Sequence, residues 1–421
     1  MNDMSFRMNA ALPDPQDRAA DGAVGHTRNT ASDLVITLHE QMSDVETAWR
    51  TLETPAHVSL HQGFDWCAAW VEAHDSRAAI LHGTIGGKPV FVLPLEIIRN
   101  RLFSTARFIG APHSNINTGL FAGDLGGLAA DTLAGYIAQT LAEKLSPLAD
   151  AVTLENIPFD WRGHHHPLAS LPSVRNQNSA FQLLLHPSFE ETIAQVNAKR
   201  RRKKFRTSER RLEAFGGYEH IIAQTIDERR DILDLFFRQK AIRFQTLGLP
   251  NVFRDAETQA FFHALTRIEQ VSPDVTLQLH AIRLKGDSDG RIVAIAGLSR
   301  KGDHVICQFG SIDEDFAGDA SPGELLFNLM IRTCCESGAA LFDFGIGDQL
   351  YKRSWCNVET VQSDITLPLT GRGRLAVLVH KSIVRLKSRI KKNPAVYALL
   401  QRARRVRDDK PVAAPEVSSD D

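Results

Sequence analysis

Short apolar runs bounded by glycine turns alternate along this chain with stretches whose apolar positions recur every three to four residues. The first pattern predicts strands and the second predicts helices. Folding is expected to begin near Leu34-Val35-Ile36. Ser43 and Glu46 have the spacing of a capping box, which predicts a helix over 43–52. Phe64, Trp66, Trp70 and Val71 suit a second amphipathic helix. Residues 79–85 and 89–95 are β-rich and flank Gly86-Gly87, a hairpin signal. A loop, a helix near 131–145 and a strand at 151–154 complete the first half.

The second half repeats this order. A strand at 277–284 turns through 286–290 and returns at 292–298. A strand at 304–309, a loop, a helix over 322–337 and a strand at 341–344 follow. Phe121-Ala122-Gly123-Asp124 even reappears as Phe316-Ala317-Gly318-Asp319. The shared order predicts duplication of one α+β unit. Between the halves, apolar spacing predicts three helices: one over 189–214, one capped by Asp227 and running to Phe244, and one capped by Asp255 and running to Glu269.

Composition narrows the class. Its 421 residues suit two domains with full cores. No apolar run reaches membrane-span length, and no basic start with an apolar core marks a secretory signal. The cysteines, Cys67, Cys307, Cys334, Cys335 and Cys356, are odd in number and form no C-x-x-C pair, as expected of reduced thiols in a cytosol. The near-neutral charge hides an asymmetry. Residues 372–410 carry 13 Lys/Arg against 2 Asp/Glu, a net of +11, while the whole chain is −1. Within that tail, Leu375, Val379, Ile383, Leu386 and Ile390 have helical spacing. Such a stripe can lie on an anionic membrane surface or pack on the acidic body.

Three stretches concentrate candidate chemistry. Residues 199–211 form a basic run, Lys199-Arg200-Arg201-Arg202-Lys203-Lys204-Phe205-Arg206 continuing to Arg210-Arg211. Ser321-Pro322-Gly323-Glu324 opens a helix. Asp343-Phe344-Gly345-Ile346-Gly347-Asp348 ends a buried strand in a glycine turn, followed by Tyr351-Lys352-Arg353 and Trp355. In this order the stretches resemble the GNAT-type acetyltransferase domain of the CelD family of cellulose-biosynthesis proteins. They are also similar to the FemAB peptidyltransferases, which are built from tandem GNAT-like domains. The resemblance covers 185–370 well and 34–185 more weakly. It implies an α+β fold of two tandem GNAT-like units with mixed, mostly antiparallel sheets flanked by helices. It also implies acyl transfer from acetyl-CoA or another acyl-CoA, or from aminoacyl-tRNA in FemAB-type relatives. The usual Q/R-x-x-G-x-G/A pyrophosphate loop is absent, and Ser321 to Glu324 stands in its place.

The expected division is a disordered 1–32, a structural or substrate-binding unit over 33–185, an acetyltransferase domain over 186–370, and a basic helical tail with a disordered end over 371–421. Ser321, Gly323, Glu324, Gln308 and Gly310 are the expected acyl-CoA contacts, although Ser321 to Glu324 also reads as an ordinary capping box. Tyr351, Asp343 and Asp348 are the catalytic candidates. A phenol can protonate a leaving thiolate, and an acid inside an apolar strand needs a partner or a task. A structural ion pair or a strand-end turn is the plainer role for Asp343. Lys352, Arg353 and Trp355 are the acceptor-side candidates, with packing the plainer role for Trp355. His304, His280 and Asp313 are further candidate bases. Cys307 and Cys356 read as buried small hydrophobes rather than acyl carriers. His164-His165-His166 reads as a solvated loop, and no metal is expected.

The acceptor implied by the resemblance is a sugar or a glycan precursor of envelope or exopolysaccharide synthesis. Nucleic acid is a partner only if the donor is a tRNA. The protein is expected in the cytoplasm, at the inner membrane if the 374–407 tail binds it. A non-enzymatic accessory of a polysaccharide synthase is the remaining alternative.

Overall fold

A computed structural model describes residues 33–269, 274–286, 290–379 and 382. The chain begins with β1 (Leu34–His39), α1 (Glu46–Leu52) and α2 (Phe64–His74). The hairpin β2 (Arg77–Ile85) and β3 (Lys88–Arg99) follows, then β4 (Ser104–Phe108), β5 (Leu120–Phe121), α3 (Ala130–Leu145) and β6 (Ala151–Ile157). A small ribbon of β7 (Asp160–Trp161) and β8 (His164–His165) precedes β9 (Ser173–Arg175) and β10 (Ala180–Leu184). The middle holds α4 (Phe189–Ala194), α5 (Ala198–Glu213), β11 (Tyr218–Ile222), α6 (Ile226–Leu247) and α7 (Ala256–Arg267). The rest is β12 (Val275–Leu284), β13 (Ile292–Lys301), β14 (His304–Ile312), α8 (Glu314–Ala317), α9 (Pro322–Glu336), β15 (Leu341–Ile346), α10 (Leu350–Trp355), β16 (Val358–Thr360) and β17 (Ser363–Pro368).

These strands form two sheets of the same plan. The first runs β1-β2-β3-β4-β6-β17-β9, with β5 on β3, and the second runs β11-β12-β13-β14-β15-β10-β16. In each, a hairpin leads to a strand, a helix crosses over, and the next strand returns parallel, as β4 with β6 and β14 with β15. A parallel return needs such a crossover, and α3 and α9 supply it. The duplication predicted from element order is present as two mixed α+β units built on one strand order.

The units exchange strands. β10 precedes residue 186 yet pairs with β15 and β16 in the second sheet. β17 follows the second sheet yet pairs with β6 and β9 in the first. They also share a core, where Trp66 and Trp70 of α2 each meet Phe261 of α7 edge-on at 5.1 Å. Aromatic pairs of this geometry add about 0.5–1.5 kcal/mol beyond their burial.

Several local expectations are corrected. A 3-10 turn over Met42–Val45 leads into α1, and Val45 rather than Ser43 occupies its cap. The predicted helix over 189–214 is two helices, because the Asn197 side chain accepts from Arg200 N–H and starts α5 afresh. Thr225, not Asp227, caps α6 through a reciprocal box with Glu228. The Phe-Ala-Gly-Asp echo is coincidental, since its first copy leaves a strand and its second lies in a helix. His164 and His165 form part of a strand, and His166 is buried on the Thr118 carbonyl rather than solvated. Residues 1–32 and most of the 374–407 tail lie outside the described residues. No helix among the described residues is long and apolar enough to cross a membrane.

Candidate active site

β14 and β15 pair only through His304↔Leu341, Val305↔Phe342 and Ile306↔Asp343. Beyond that point the strands part. The gap is a cleft of about 600 Å³ lined by Gln308, Gly310 and Ser311 from β14, Phe344 and Ile346 from β15, and Gly323 and Glu324 at the start of α9. Tyr351 and Lys352 of α10 close one side, and Gln239, Lys240 and Arg243 of α6 close another. The parted strands leave backbone groups of β14 facing the gap without a ladder partner, so a ligand with amide groups can complete the sheet edge.

The first unit has no equivalent opening. There β4 leaves β6 after Arg107↔Thr153, but residues 114–117 take up the freed edge. Asn117 N–H donates to Asn156 O at 2.9 Å, and Asn117 Nδ2 to Glu155 O at 2.8 Å. Asn156 Nδ2 donates to Ser114 O at 2.9 Å. The same segment sends Asn115 across to the second unit, where it lines the cleft and accepts from Ile346 N–H at 3.4 Å.

The start of α9 is not a capping box. Ser321 has φ +54°, its side chain caps nothing, and Pro322 follows. A residue ahead of proline is driven out of the right-handed helical region, and here it takes the left-handed one. Its carbonyl accepts from Glu324 N–H at 3.0 Å and from Ser208 Oγ at 3.3 Å. Glu324 turns instead to α5, where Arg201 and Lys204 hold its two oxygens. Arg201 is fully buried, stacks on Trp355 at 4.3 Å and donates to Ser354 Oγ at 3.0 Å. Arg211 adds a bond to the Asp319 carbonyl. Part of the basic run therefore clamps the tip of α9 to α10. Lys199, Arg200, Lys203, Arg206 and Arg210 remain exposed.

The expected acyl-CoA contacts Ser321, Gly323, Glu324, Gln308 and Gly310 all line the one cleft, together with Tyr351 and Lys352. Tyr351 stacks on Phe327 with ring centres 5.6 Å apart, and burial pushes its phenol above the usual range. Lys352 Nζ donates to Ile346 O at 2.7 Å and to Gly345 O at 3.1 Å, tying α10 to the glycine turn. Burial lowers its pKa, as it does that of Lys240. Cys307 is pushed up to about 12 by burial, and burial raises Cys356 as well, so neither thiol is an activated nucleophile.

Four of the catalytic and acceptor-side candidates and the three further candidate bases lie outside the cleft lining. Asp343 is fully buried beneath the cleft, where it accepts from Gln182 Nε2 at 2.8 Å and Gly345 N–H at 2.6 Å. Its partners fix β10 against β15 and shape the turn. His304 Nε2 stands 3.4 Å from it. Asp348 and Arg353 pair with each other at the surface. Trp355 is core, beneath Arg201. His280 is buried against His220, and Asp313 pairs with Arg291. Among the described residues no group of three His, Cys, Asp or Glu is placed to hold a metal ion. Lys240, Arg243, Asn115 and buried His61 carried no signal in the sequence, because each reaches the cleft or its lining from an element distant in the chain.

Residues 199–353 match the family model described as the acetyltransferase (GNAT) domain. That domain makes the chain an acyltransferase. No curated protein sequence matches it. Among solved structures it is similar to FemX, at 12% identity and a TM-score of 0.56 over 79% of this chain and 97% of that one. That likeness establishes the shared fold alone. A tandem GNAT protein from the clavulanic acid biosynthesis pathway aligns at 11% identity and a TM-score of 0.43, over 80% of this chain and 99% of that one. L-PGS from Bacillus licheniformis aligns at 10% identity and 0.45, over 83% and 97%.

Proposed function

We propose that the protein transfers an acyl group, acetyl in the simplest case, from a coenzyme A thioester to an amine or hydroxyl, with no covalent enzyme intermediate. One observation carries this reading: β14 and β15 part after Ile306↔Asp343, beside the tip of α9. A thioester carrier fits that gap. Its amide-bearing arm would pair with the freed edge of β14, and its pyrophosphate would lie at the start of α9 beside Gly323, since the Ser321, Glu324 and Leu325 N–H groups already bond to carbonyls of the chain. The buried amide nitrogen of Gln308 has no partner among the described residues, and a ligand carbonyl would satisfy it. The filled gap of the first unit supports a structural role for that half.

In this reading the acceptor nitrogen or oxygen bonds to the carbonyl carbon and the carbon–sulfur bond breaks. The leaving thiolate takes the Tyr351 proton, and the proton shed by the acceptor passes to solvent, from which the phenol is recharged. Tyr351 is protonated at neutral pH at its ordinary pKa, as a proton donor must be, and the upward shift from burial adds nothing to its acidity. Orientation of the two substrates supplies the rest of the rate. The acceptor enters from the α6 side. There Lys240 lines the cleft and makes no ion pair or hydrogen bond among the described residues. An unpaired half-buried ammonium favours an anionic acceptor, which suits a phosphorylated glycan precursor of envelope or exopolysaccharide synthesis.

Calorimetric titration with acetyl-CoA tests the reading, and absence of saturable binding removes it. Tyr351→Phe is expected to keep acetyl-CoA affinity within about threefold while cutting CoA release with amino-sugar acceptors about 100-fold. The exposed basic residues of α5 favour one alternative, an aminoacyl-tRNA donor. Steeply salt-dependent tRNA binding without acetyl-CoA binding would establish it.

A further inference from the structure

Gln308 occupies an irregular position on β14. Gly297 pairs with Phe309 and Leu298 with Cys307, so Gln308 is the extra residue of a β-bulge. Bulges re-aim side chains. Here the amide reaches across to the first unit, where Oε1 lies 3.1 Å from Nε2 of His61. His61 is fully buried ahead of α2, with its ring edge-on to Trp66 at 4.8 Å. Its Nδ1 lies 3.2 Å from Ser59 Oγ and 3.3 Å from the Ile116 carbonyl. Burial pushes the imidazole down to about 4, so near neutral pH it carries one proton. With that proton on Nε2, the ring donates to Gln308 Oε1 and accepts the Ser59 hydroxyl at Nδ1, and the Ile116 carbonyl then receives no proton from the ring. The amide nitrogen of Gln308, a residue that lines the cleft, is then buried and without a hydrogen-bond partner among the described residues. Buried donors without partners are rare, and a ligand acceptor accounts for this one.

We propose that His61 fixes the Gln308 amide across the boundary between the units, so that its N–H meets the carbonyl oxygen of the donor thioester. The assignment rests on the thioester reading above. Gln308 touches the substrate, whereas His61 does not line the cleft and is a positioning residue. A donor held in place before the acceptor attacks strengthens as the carbonyl oxygen gains charge, without reorganisation. The first unit, whose own cleft is filled, would thus complete the site of the second.

The test is calorimetric titration of the full chain with acetyl-CoA and with CoA, which lacks the carbonyl. Gln308→Leu removes the donor. His61→Phe removes the orienting bond and keeps a ring against Trp66. Both are expected to weaken acetyl-CoA binding about tenfold and to leave CoA binding within about twofold. His61→Gln, which can donate from its own amide, is expected to recover most of the loss. Equal weakening of both ligands, or no change in either, overturns the assignment and leaves the pair as a support for the bulge. A wild-type chain that binds neither ligand sinks the underlying reading and this one with it. Intact binding with unchanged discrimination sinks this one alone. Should His61→Phe not fold, the Gln308→Leu comparison decides.

Discussion

Replacing Arg201 with methionine tests whether the three conspicuous stretches of the sequence act as one structural unit. The guanidinium is fully enclosed, and Glu324, its partner, is 10% exposed. Deleting one member of a buried pair costs about 3–5 kcal/mol, because the other charge stays behind. The lost stacking on Trp355 adds about 1–2 kcal/mol. Two features reduce the sum. Lys204 Nζ still holds Glu324 at 2.9 Å. Arg201 Nε is buried without a partner, a penalty of about 1–3 kcal/mol that methionine removes. The expected net loss is about 3 kcal/mol. Urea unfolding followed by tryptophan fluorescence and far-ultraviolet circular dichroism measures it. The double variant Arg201→Met, Glu324→Leu strands no carboxylate and is expected to regain most of the loss. A single variant within about 0.5 kcal/mol of wild type would refute the clamp, since that is the range of ordinary surface changes. So would a double variant as unstable as the two singles combined.

Two further predictions follow from the turn and from the buried histidines. Gly345 has φ +74°, and a Cβ there would sit 2.9 Å from the Asn115 side chain. Gly345→Ala is expected to cost about 2 kcal/mol in urea unfolding, from the left-handed backbone and the displaced asparagine. An Asn115→Gly background should relieve part of that cost, and an unchanged penalty would rule out the contact. Burial holds His61, His113 and His166 at about 4 and His280 at about 3 in the folded chain, against about 6.5 unfolded. The unfolded state therefore binds more protons between these values, so stability is full above about pH 7 and falls as the pH drops from about 6.5 toward 4. Guanidinium unfolding at pH 7.5 and pH 5.5 measures the difference, and equal stabilities would contradict the burial of these rings.

The element order was legible because strand and helix periodicities and the Gly86-Gly87 turn are local properties of the chain. The hairpins, the crossover helices and the duplicated plan follow from them. Cap assignments were less legible. Ser43, Asp227 and the Ser321–Glu324 box satisfy the spacing rule, but tertiary contacts decided otherwise, as when Arg201 and Lys204 drew Glu324 away from the helix start. Strand exchange left no local trace, because pairing of β10 and β17 depends on which sheet edge is free rather than on their own residues.

For the site, the sequence by itself marked Gln308, Gly310, Ser321, Gly323, Tyr351 and Lys352, since a helix start and a strand-end glycine turn are readable from residue order. Only the tertiary structure could show that β14 and β15 part there to leave a cleft, while the matching gap in the first unit is filled by residues 114–117. It also decided that Asp343 lies beneath the cleft, and that Lys240 and Asn115 line it while His61 reaches it only through Gln308. The physical reason is range. Periodicity and capping are set by neighbours a few residues apart, whereas a cleft is defined by side chains that meet only when elements hundreds of residues apart pack together.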